Sequence, residues 1–146
     1  MSLSAAKKMP RNGTEVLSMR QTRPVKASVK IYPGAGVVLN GGYLAPATAA
    51  TGLISVGVAD PGDGQPVDNT GGADGALYCT AEAGVFSFNN STSTDQIHQA
   101  DIGKDCYWVD DQTVAKTDGS ASRSRAGKIH DLNADGTVQV LLGIGL

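Results

Sequence analysis

Four side chains of the kind that binds zinc are spread along the sequence: Cys79, His98, Cys106 and His130. Protein zinc sites usually draw their ligands from closely spaced pairs such as C-x-x-C or H-x-x-x-H, and none of the four is paired in this way. We therefore expect no metal site. Two cysteines are too few for a disulfide scaffold, so we interpret them as buried thiols; a disulfide between them would be unexpected in the cytoplasm.

A second candidate for metal chemistry is Asp131-Leu132-Asn133-Ala134-Asp135-Gly136, which matches the first half of a calcium loop. The twelfth position of such a loop requires a bidentate glutamate, and here it is Leu142. Strand-like sequence rather than helix-like sequence lies on both sides. The segment therefore predicts a hairpin turn.

Motifs for covalent or phosphate chemistry are missing from the sequence. It contains no G-x-S-x-G, no H-E-x-x-H and no G-x-x-x-x-G-K-[ST], and Gly127-Lys128 lacks both the earlier glycine and the following hydroxyl. We predict that the protein is not an enzyme, with no catalytic residues and no cofactor.

Charge is divided unevenly along the chain. Residues 1–30 contain seven basic side chains and one acidic side chain, a net charge of +6, whereas the other 116 residues contain five basic and thirteen acidic ones, a net charge of −8. This division predicts an extended basic N-terminal arm, residues 1–24, before an acidic body, residues 25–146.

The arm has three possible fates: binding to protein, binding to nucleic acid, or solvation without a partner. Nucleic acid is disfavoured because the arm has no aromatic platforms and no recognisable groove-reading helix. Protein contact is favoured because apolar anchors accompany arginines, which bind carboxylates well. The candidate contact residues are Lys7, Lys8, Arg11, Val16, Leu17, Met19, Arg20, Arg23 and, outside the arm, Trp108.

The elements that would position these residues are short strands. The 146 residues include nineteen glycines and only seven aromatic residues, and no apolar run approaches the roughly 20 residues of a membrane span. We expect a soluble, unsecreted all-β protein, a small antiparallel barrel or jelly-roll-like sandwich with at most one short helix, through residues 93–98. The predicted strands and connections are a clear strand at 25–31, a hairpin at 37–44 turning at 40–42, a strand at 53–58 with a bulge or close approach at Gly57, a loop at 60–75, a strand pair at 76–80 and 84–88, and hairpins at 104–117 and 126–142.

Trp108 allows two interpretations. Within the strand that it occupies, Tyr107 and Val109 compete with it for the inner face, so Trp108 is either an exposed anchor or a core residue.

The segments Asp101-Ile102-Gly103-Lys104, Tyr107-Trp108-Val109-Asp110-Asp111, Ser124-Arg125-Ala126-Gly127-Lys128 and Asp135-Gly136-Thr137-Val138 resemble, as a set, the C-terminal half of capsid cement proteins of tailed bacteriophages. The order of the predicted strands is similar over residues 25–146, and the amino-acid motifs themselves are similar over residues 100–142. Cys106 and Trp108 depart from the pattern, which favours smaller or β-branched residues there, and the basic arm is longer than the pattern requires.

The resemblance implies a structural protein made in the host cytoplasm and bound to the outer surface of an icosahedral head. There it would bind the major capsid protein and copies of itself, as a homotrimer rather than a homodimer, and would stabilise the expanded shell against internal DNA pressure. Membranes are not among the implied partners. A nucleic-acid-binding accessory protein acting through the arm is the alternative.

Overall fold

The computed structural model describes residues 19–146, which form twelve strands and no α-helix. The strands are β1 (Arg20–Pro24), β2 (Lys30–Ile31), β3 (Gly36–Asn40), β4 (Tyr43–Pro46), β5 (Ile54–Ala59), β6 (Val67–Asp68), β7 (Tyr78–Glu82), β8 (Gly84–Asn90), β9 (Asp105–Asp110), β10 (Thr113–Ala115), β11 (Arg125–Leu132) and β12 (Val138–Leu142). Two three-residue 3-10 turns, Ser93–Asp95 and Gln99–Asp101, replace the single helical turn expected near residue 95.

The strands form a five-stranded sheet in the order β1-β7-β5-β3-β4 and a closed five-stranded barrel in the order β10-β8-β12-β11-β9. The short strands β2 and β6 form a separate two-stranded sheet. The chain passes from sheet to barrel once, at Ala83, and the barrel closes through a parallel pairing of β8 with β10. The prediction of a small all-β fold with a barrel is confirmed.

The three predicted hairpins, β3-β4, β9-β10 and β11-β12, are confirmed, and the first and the last are fixed by their turns. Between β3 and β4, Asn40 pairs with Tyr43, and Gly41 and Gly42 have φ values of 60° and 88°, which the hairpin turn requires and glycine adopts readily. Between β11 and β12, Asp135 Oδ1 accepts hydrogen bonds from the amide of Thr137 (3.0 Å) and from its hydroxyl (2.6 Å). The calcium-like motif is therefore a hairpin turn.

The predicted strand at 25–31 is wrong. The chain turns at Ala27 and Ser28, where Ser28 has a φ of 61°, and only Lys30–Ile31 resume an extended pairing. The amide of Ala27 donates to Asp74 Oδ1 (2.7 Å), and the amide of Ser28 donates to the carbonyl of Asn69 (3.0 Å). The alternation of polar and apolar residues in 25–31 indicates which side chains are buried. The backbone is bent nevertheless, because the loop at 60–75 accepts hydrogen bonds from the amides of Ala27 and Ser28.

The predicted pairing of 76–80 with 84–88 is also wrong, although both segments are strands. Ala83 alone separates β7 from β8, and one residue cannot reverse the chain into a hairpin. β7 pairs instead with β1 and β5, whereas β8 pairs with β12 and β10.

The loop at 60–75 is more ordered than its composition predicts. It contains β6, and Asn69 within it is only 2% exposed. The Asn69 side-chain amide donates to the carbonyls of Lys26 (2.9 Å) and Ala73 (3.0 Å). This buried amide fastens the loop to the segment that follows β1.

Trp108 joins the barrel core to the sheet. It is fully buried, and its ring meets Phe88 edge-on, with the ring centroids 5.1 Å apart. A Cβ added to Gly36 on β3 would lie 2.4 Å from Trp108 Cη2, so the indole packs directly on the backbone of the sheet. Gly36 also donates its amide to the carbonyl of Asp111 (2.7 Å), beside the turn after β9.

Candidate contact surface

A groove lies where β1, the end of β7 and the last four residues of the chain meet, and we call it the junction groove. It encloses about 150 Å³ and is lined by Met19, Gln21, Arg23, Val56, Ala81, Ala83, Gly143, Ile144 and Leu146. Most of these side chains are apolar or small. Such a concave apolar surface, open to solvent, is suited to bind another segment of polypeptide.

Strand register places the β1 side chains that line this groove. The carbonyl of Met19 accepts from the amide of Ala83 (2.8 Å), and the amide of Val25 donates to the carbonyl of Leu77 (2.9 Å). Side chains alternate along a strand, so Met19, Gln21 and Arg23 share one face of β1. Arg20 and Thr22 lie on the opposite face.

The segment 143–146 forms the opposite wall. Leu146 donates its amide to the carbonyl of Gly143 (3.1 Å), and Arg125 Nη1 donates to the main-chain oxygen of Leu146. A Cβ on Gly143 would lie 2.7 Å from Leu146 Cδ1 and 3.2 Å from the Cβ of Ala83. Glycine is therefore needed at 143 for this wall to pack against the end of β7.

Large apolar side chains are exposed around the groove. Met19 is 58% exposed and Ile144 is 51% exposed, and both line it. On the other side of Leu146, an open depression of about 520 Å³ is lined by Leu53, Ile54, Ser55, Arg125, Gly143, Gly145 and Leu146, and Ile54 is 53% exposed. Leu146 thus lines both the groove and this depression.

Two polar atoms beside these surfaces are buried without a hydrogen-bond partner: Arg23 Nε and Ser55 Oγ. Among residues 19–146, Arg23 forms no ion pair, whereas Arg125, across Leu146, binds Asp105 Oδ1 through Nε (2.7 Å). A buried donor without an acceptor is unfavourable, by about 1–3 kcal/mol, until an acceptor arrives. The junction groove therefore combines an apolar rim with the Arg23 guanidinium, which has no ion-pair partner among residues 19–146.

Two other basic side chains, one on the opposite face of β1 and one just after the strand, are already paired with carboxylates of the acidic body. Arg20 binds Asp60 and lies 3.4 Å from Glu82, and Lys26 Nζ lies 3.9 Å from Asp74. The hydrogen bond from Arg20 and its positive charge hold the pKa of Asp60 below its usual value. The same hydrogen bond and the negative charge of Asp60 raise the pKa of Arg20. Ion pairs within the chain therefore neutralise part of the positive charge that the sequence concentrates in residues 1–30.

The predicted contact residues fall into three groups. Met19, Arg20 and Arg23 are on or next to β1 at the surface, so the last part of the predicted arm belongs to the folded sheet. Trp108 is corrected: it is a core residue with no exposed surface, because the barrel interior and Gly36 enclose it. The remaining five lie outside the described residues: Lys7, Lys8, Arg11, Val16 and Leu17.

Sequence reasoning missed the C-terminal half of this surface. The apolar character of Ile144 and Leu146 matches that of the neighbouring strand residues and so does not distinguish them. The two glycines at 143 and 145, just after the last strand, were the available signal that the chain leaves the barrel there.

The cysteines are both buried and free, as predicted. Burial raises the pKa of Cys79 to about 11 and that of Cys106 to about 12, so both thiols stay protonated at neutral pH. Within residues 19–146, no three histidine, cysteine or acidic side chains come together in a group that could hold a metal ion.

A further depression, of about 460 Å³, lies between sheet and barrel, and Asp110 and Asp111 line part of it. Burial and the neighbouring charge of Asp110 raise the pKa of Asp111. Apart from these carboxylates and Lys26, its walls are neutral: Val29, Val38, Asn40, Ala45, Pro46, Ala47, Thr48 and Leu53.

Across the part of the chain that the structure describes, no helix has the length and apolar character needed to cross a membrane. Comparison with protein-family models found no match, and neither the curated proteins nor the solved structures gave one.

Proposed function

We propose that this protein is a structural component of a tailed-phage head that binds the outer surface of the capsid and cements adjacent capsomers. The observation that carries the proposal is the junction groove with its exposed apolar rim, located where the basic N-terminal segment enters the fold. The resemblance of residues 100–142 to phage cement proteins supports the same function.

Cementing requires many modest contacts that act together. Exposed Met19, Ile54 and Ile144 provide apolar contact area, and residues 1–18 of the sequence include further basic and apolar side chains. When two contacts are made by one molecule, the second becomes intramolecular, and the combined affinity can exceed either alone by about a hundredfold or more. A capsid protein and neighbouring copies of the chain are the partners that we propose, with a trimer favoured over a dimer.

The alternative, nucleic-acid binding through the arm, receives less support. Four of the seven basic residues in 1–30 belong to the described part of the chain, and two of these, Arg20 and Lys26, are engaged with acidic side chains of the same chain. Fewer cations are then left for phosphates, whose neutralisation drives such binding.

The test is co-purification with phage heads in stoichiometric amounts, followed by a comparison of two single variants. Ile144→Asp places a charge on the rim of the junction groove. Tyr32→Asp is the matched control, because Tyr32 is 53% exposed, close to the 51% of Ile144, and does not line the groove.

We expect Ile144→Asp to lower head occupancy and to lower the temperature at which heads release DNA, while Tyr32→Asp behaves as the unmodified protein. Failure of the unmodified protein to bind heads would reject the cementing function. Equal occupancy for the two variants would reject the role of the groove in it. Salt-sensitive retention of the protein on DNA, without binding to heads, would favour the alternative.

A further inference from the structure

We infer that the outer edge of β1 binds an extended segment of another protein as an added strand. This segment carries a carboxylate that binds the Arg23 guanidinium and, at an alternate position, an apolar side chain that packs against Met19. The inference rests on the proposed function, because it names the kind of capsid segment that the junction groove takes. Its test uses a synthetic peptide and no heads, so the two can fail separately.

The first argument is the unpaired edge of β1. This strand is the outermost strand of its sheet and pairs with β7 alone among the described strands. Met19 and Val25, which flank β1, both make main-chain hydrogen bonds to the β7 side. In an antiparallel pair, such residues alternate with residues whose amide and carbonyl point outward. The amides and carbonyls of Arg20 and Thr22 therefore face away from β7, and no strand within residues 19–146 pairs with them.

The neighbouring segments agree with an open edge. Thr80, which lies opposite Thr22, accepts a hydrogen bond from the amide of Asp60 (2.8 Å) on the far side of β7. On the outer side, β4 reaches the chain only after β1 has ended, where the amide of Lys26 donates to the carbonyl of Leu44 (2.9 Å). The first three residues of β1 are exposed. An exposed edge of this kind is a template for a further strand.

The charge on this edge does not prevent pairing. Sheet edges are often protected by charged side chains that repel an approaching strand. Arg20 is the charged residue nearest the open donors, and it binds Asp60 and lies 3.4 Å from Glu82, on the face away from the groove. Its charge is therefore compensated within the chain.

The second argument is the chemistry of the groove face. Met19, Gln21 and Arg23 line the junction groove, and the buried Nε of Arg23 has no acceptor among the described residues. Side chains of an added strand alternate between the two faces, so every second residue faces the groove. A carboxylate opposite Gln21 reaches Arg23 diagonally, and an apolar side chain two residues away lies opposite Met19. The expected pattern is therefore acidic-x-apolar.

A second copy of β1 does not fit this pattern. The strand reads Arg20-Gln21-Thr22-Arg23-Pro24 and contains no carboxylate. Pairing of two β1 strands would place like charges on neighbouring strands, which is unfavourable, and would leave both Arg23 side chains without an acceptor. Charge complementarity therefore favours a segment of a different protein.

The experiment is an NMR titration of the isotope-labelled full-length protein with the peptide acetyl-Thr-Glu-Thr-Leu-Thr-amide, whose Glu and Leu share one face. One control peptide has Gln in place of Glu. A second control is methylated on all three threonine nitrogens, which removes the main-chain donors but keeps both groove-facing side chains. The Arg23→Gln protein, verified as folded by circular dichroism, is titrated with the Glu and Gln peptides.

We expect the amide signals of Arg20 and Thr22 to shift saturably with the Glu peptide. Their hydrogen exchange should be faster than that of Gln21 in the free protein and should slow about tenfold at a peptide concentration ten times the Kd. The Gln peptide should bind about threefold more weakly. The Arg23→Gln protein should bind the Glu and Gln peptides equally, and the methylated peptide should cause no saturable shift.

Absence of a saturable shift with the Glu peptide, or equal binding of the methylated peptide, would overturn strand addition. Equal binding of the Glu and Gln peptides to the unmodified protein would overturn the role of Arg23. Slow exchange of Arg20 and Thr22 in dilute free protein would show that the edge is already covered. Protection that increases with protein concentration would identify a second copy as the occupant, and either result would overturn the inference. Peptide failure with head binding retained would reject the inference alone, whereas peptide binding without head binding would reject the cementing function alone.

Discussion

Replacing Gly36 with alanine tests the joint between sheet and barrel. The added Cβ would lie 2.4 Å from Trp108 Cη2, 2.7 Å from Cζ3 and 3.2 Å from Cζ2, distances at which neighbouring atoms must move. Trp108 is fully buried and also packs against Phe88, so the indole has little room to shift. Overpacking of this kind costs about 1–3 kcal/mol of unfolding free energy.

The assay is urea unfolding at pH 7, with thermal unfolding as a second measure. A loss of about 2 kcal/mol corresponds to a fall in Tm of about 4–8 °C for a chain of this size. The matched control is Gly71→Ala, since a Cβ at 71 would meet nothing within 4 Å and the φ there is ordinary. We expect that control to change stability by less than about 0.5 kcal/mol.

A double-mutant cycle makes the reasoning refutable. Trp108→Phe removes the three indole atoms that the new Cβ would strike, so Gly36→Ala should cost much less in the Trp108→Phe background than in the unmodified protein. Equal costs of Gly36→Ala in both backgrounds would show that its effect does not arise from contact with the indole. A cost no larger than that of Gly71→Ala would refute the tight packing itself.

Three further predictions concern groups that the fold buries. The pKa of Asp101 is held below its ordinary value, chiefly by the hydrogen bond from the amide of His98. The ionised carboxylate therefore stabilises the fold fully above about pH 4, and this stabilisation is lost as the pH falls through the lowered pKa. In urea unfolding, the difference in unfolding free energy between the unmodified protein and Asp101→Asn should become smaller from pH 7 to pH 3, and a constant difference would contradict this. Asn69→Ala should lower the unfolding free energy by about 2 kcal/mol, because two main-chain oxygens lose their buried donor, and an unchanged urea midpoint would argue against that role. Cys79 and Cys106 should react with Ellman's reagent at pH 8 only after denaturation, and rapid reaction of the native protein would show that the thiols are accessible.

Local features of the fold could be predicted from the sequence because the signals are local. Asn40-Gly41-Gly42 and Asn133-Ala134-Asp135-Gly136 specify turns through residues that accept the required φ values, and both hairpins formed at the predicted places. Gly57 was expected to mark a bulge or a close approach. The register between β3 and β5 does shift beside it, and a Cβ there would lie 2.1 Å from the Glu82 carbonyl oxygen.

Features that depend on distant segments could not be predicted. The segment 25–31 alternates like a strand, but Asp74 and Asn69 bind its amides and bend it. Strands β7 and β8 are neighbours in sequence and belong to different layers. The junction groove requires β1, β7 and residues 143–146 together, and no pattern within any one of them indicates the other two.

Because the chain passes from the sheet to the barrel only once, at Ala83, the strands of the two parts are synthesised one set after the other. Every strand of the five-stranded sheet lies within residues 20–82 and every barrel strand lies within 84–142, so a ribosome completes the sheet before the first barrel strand emerges. The sheet can pair its backbone without the barrel, but the surface of Gly36 stays uncovered until Trp108 has been synthesised and packed. Trp108 therefore joins the two layers late in synthesis, within a core cluster that also includes Val38 and Ala47 from the earlier part of the chain.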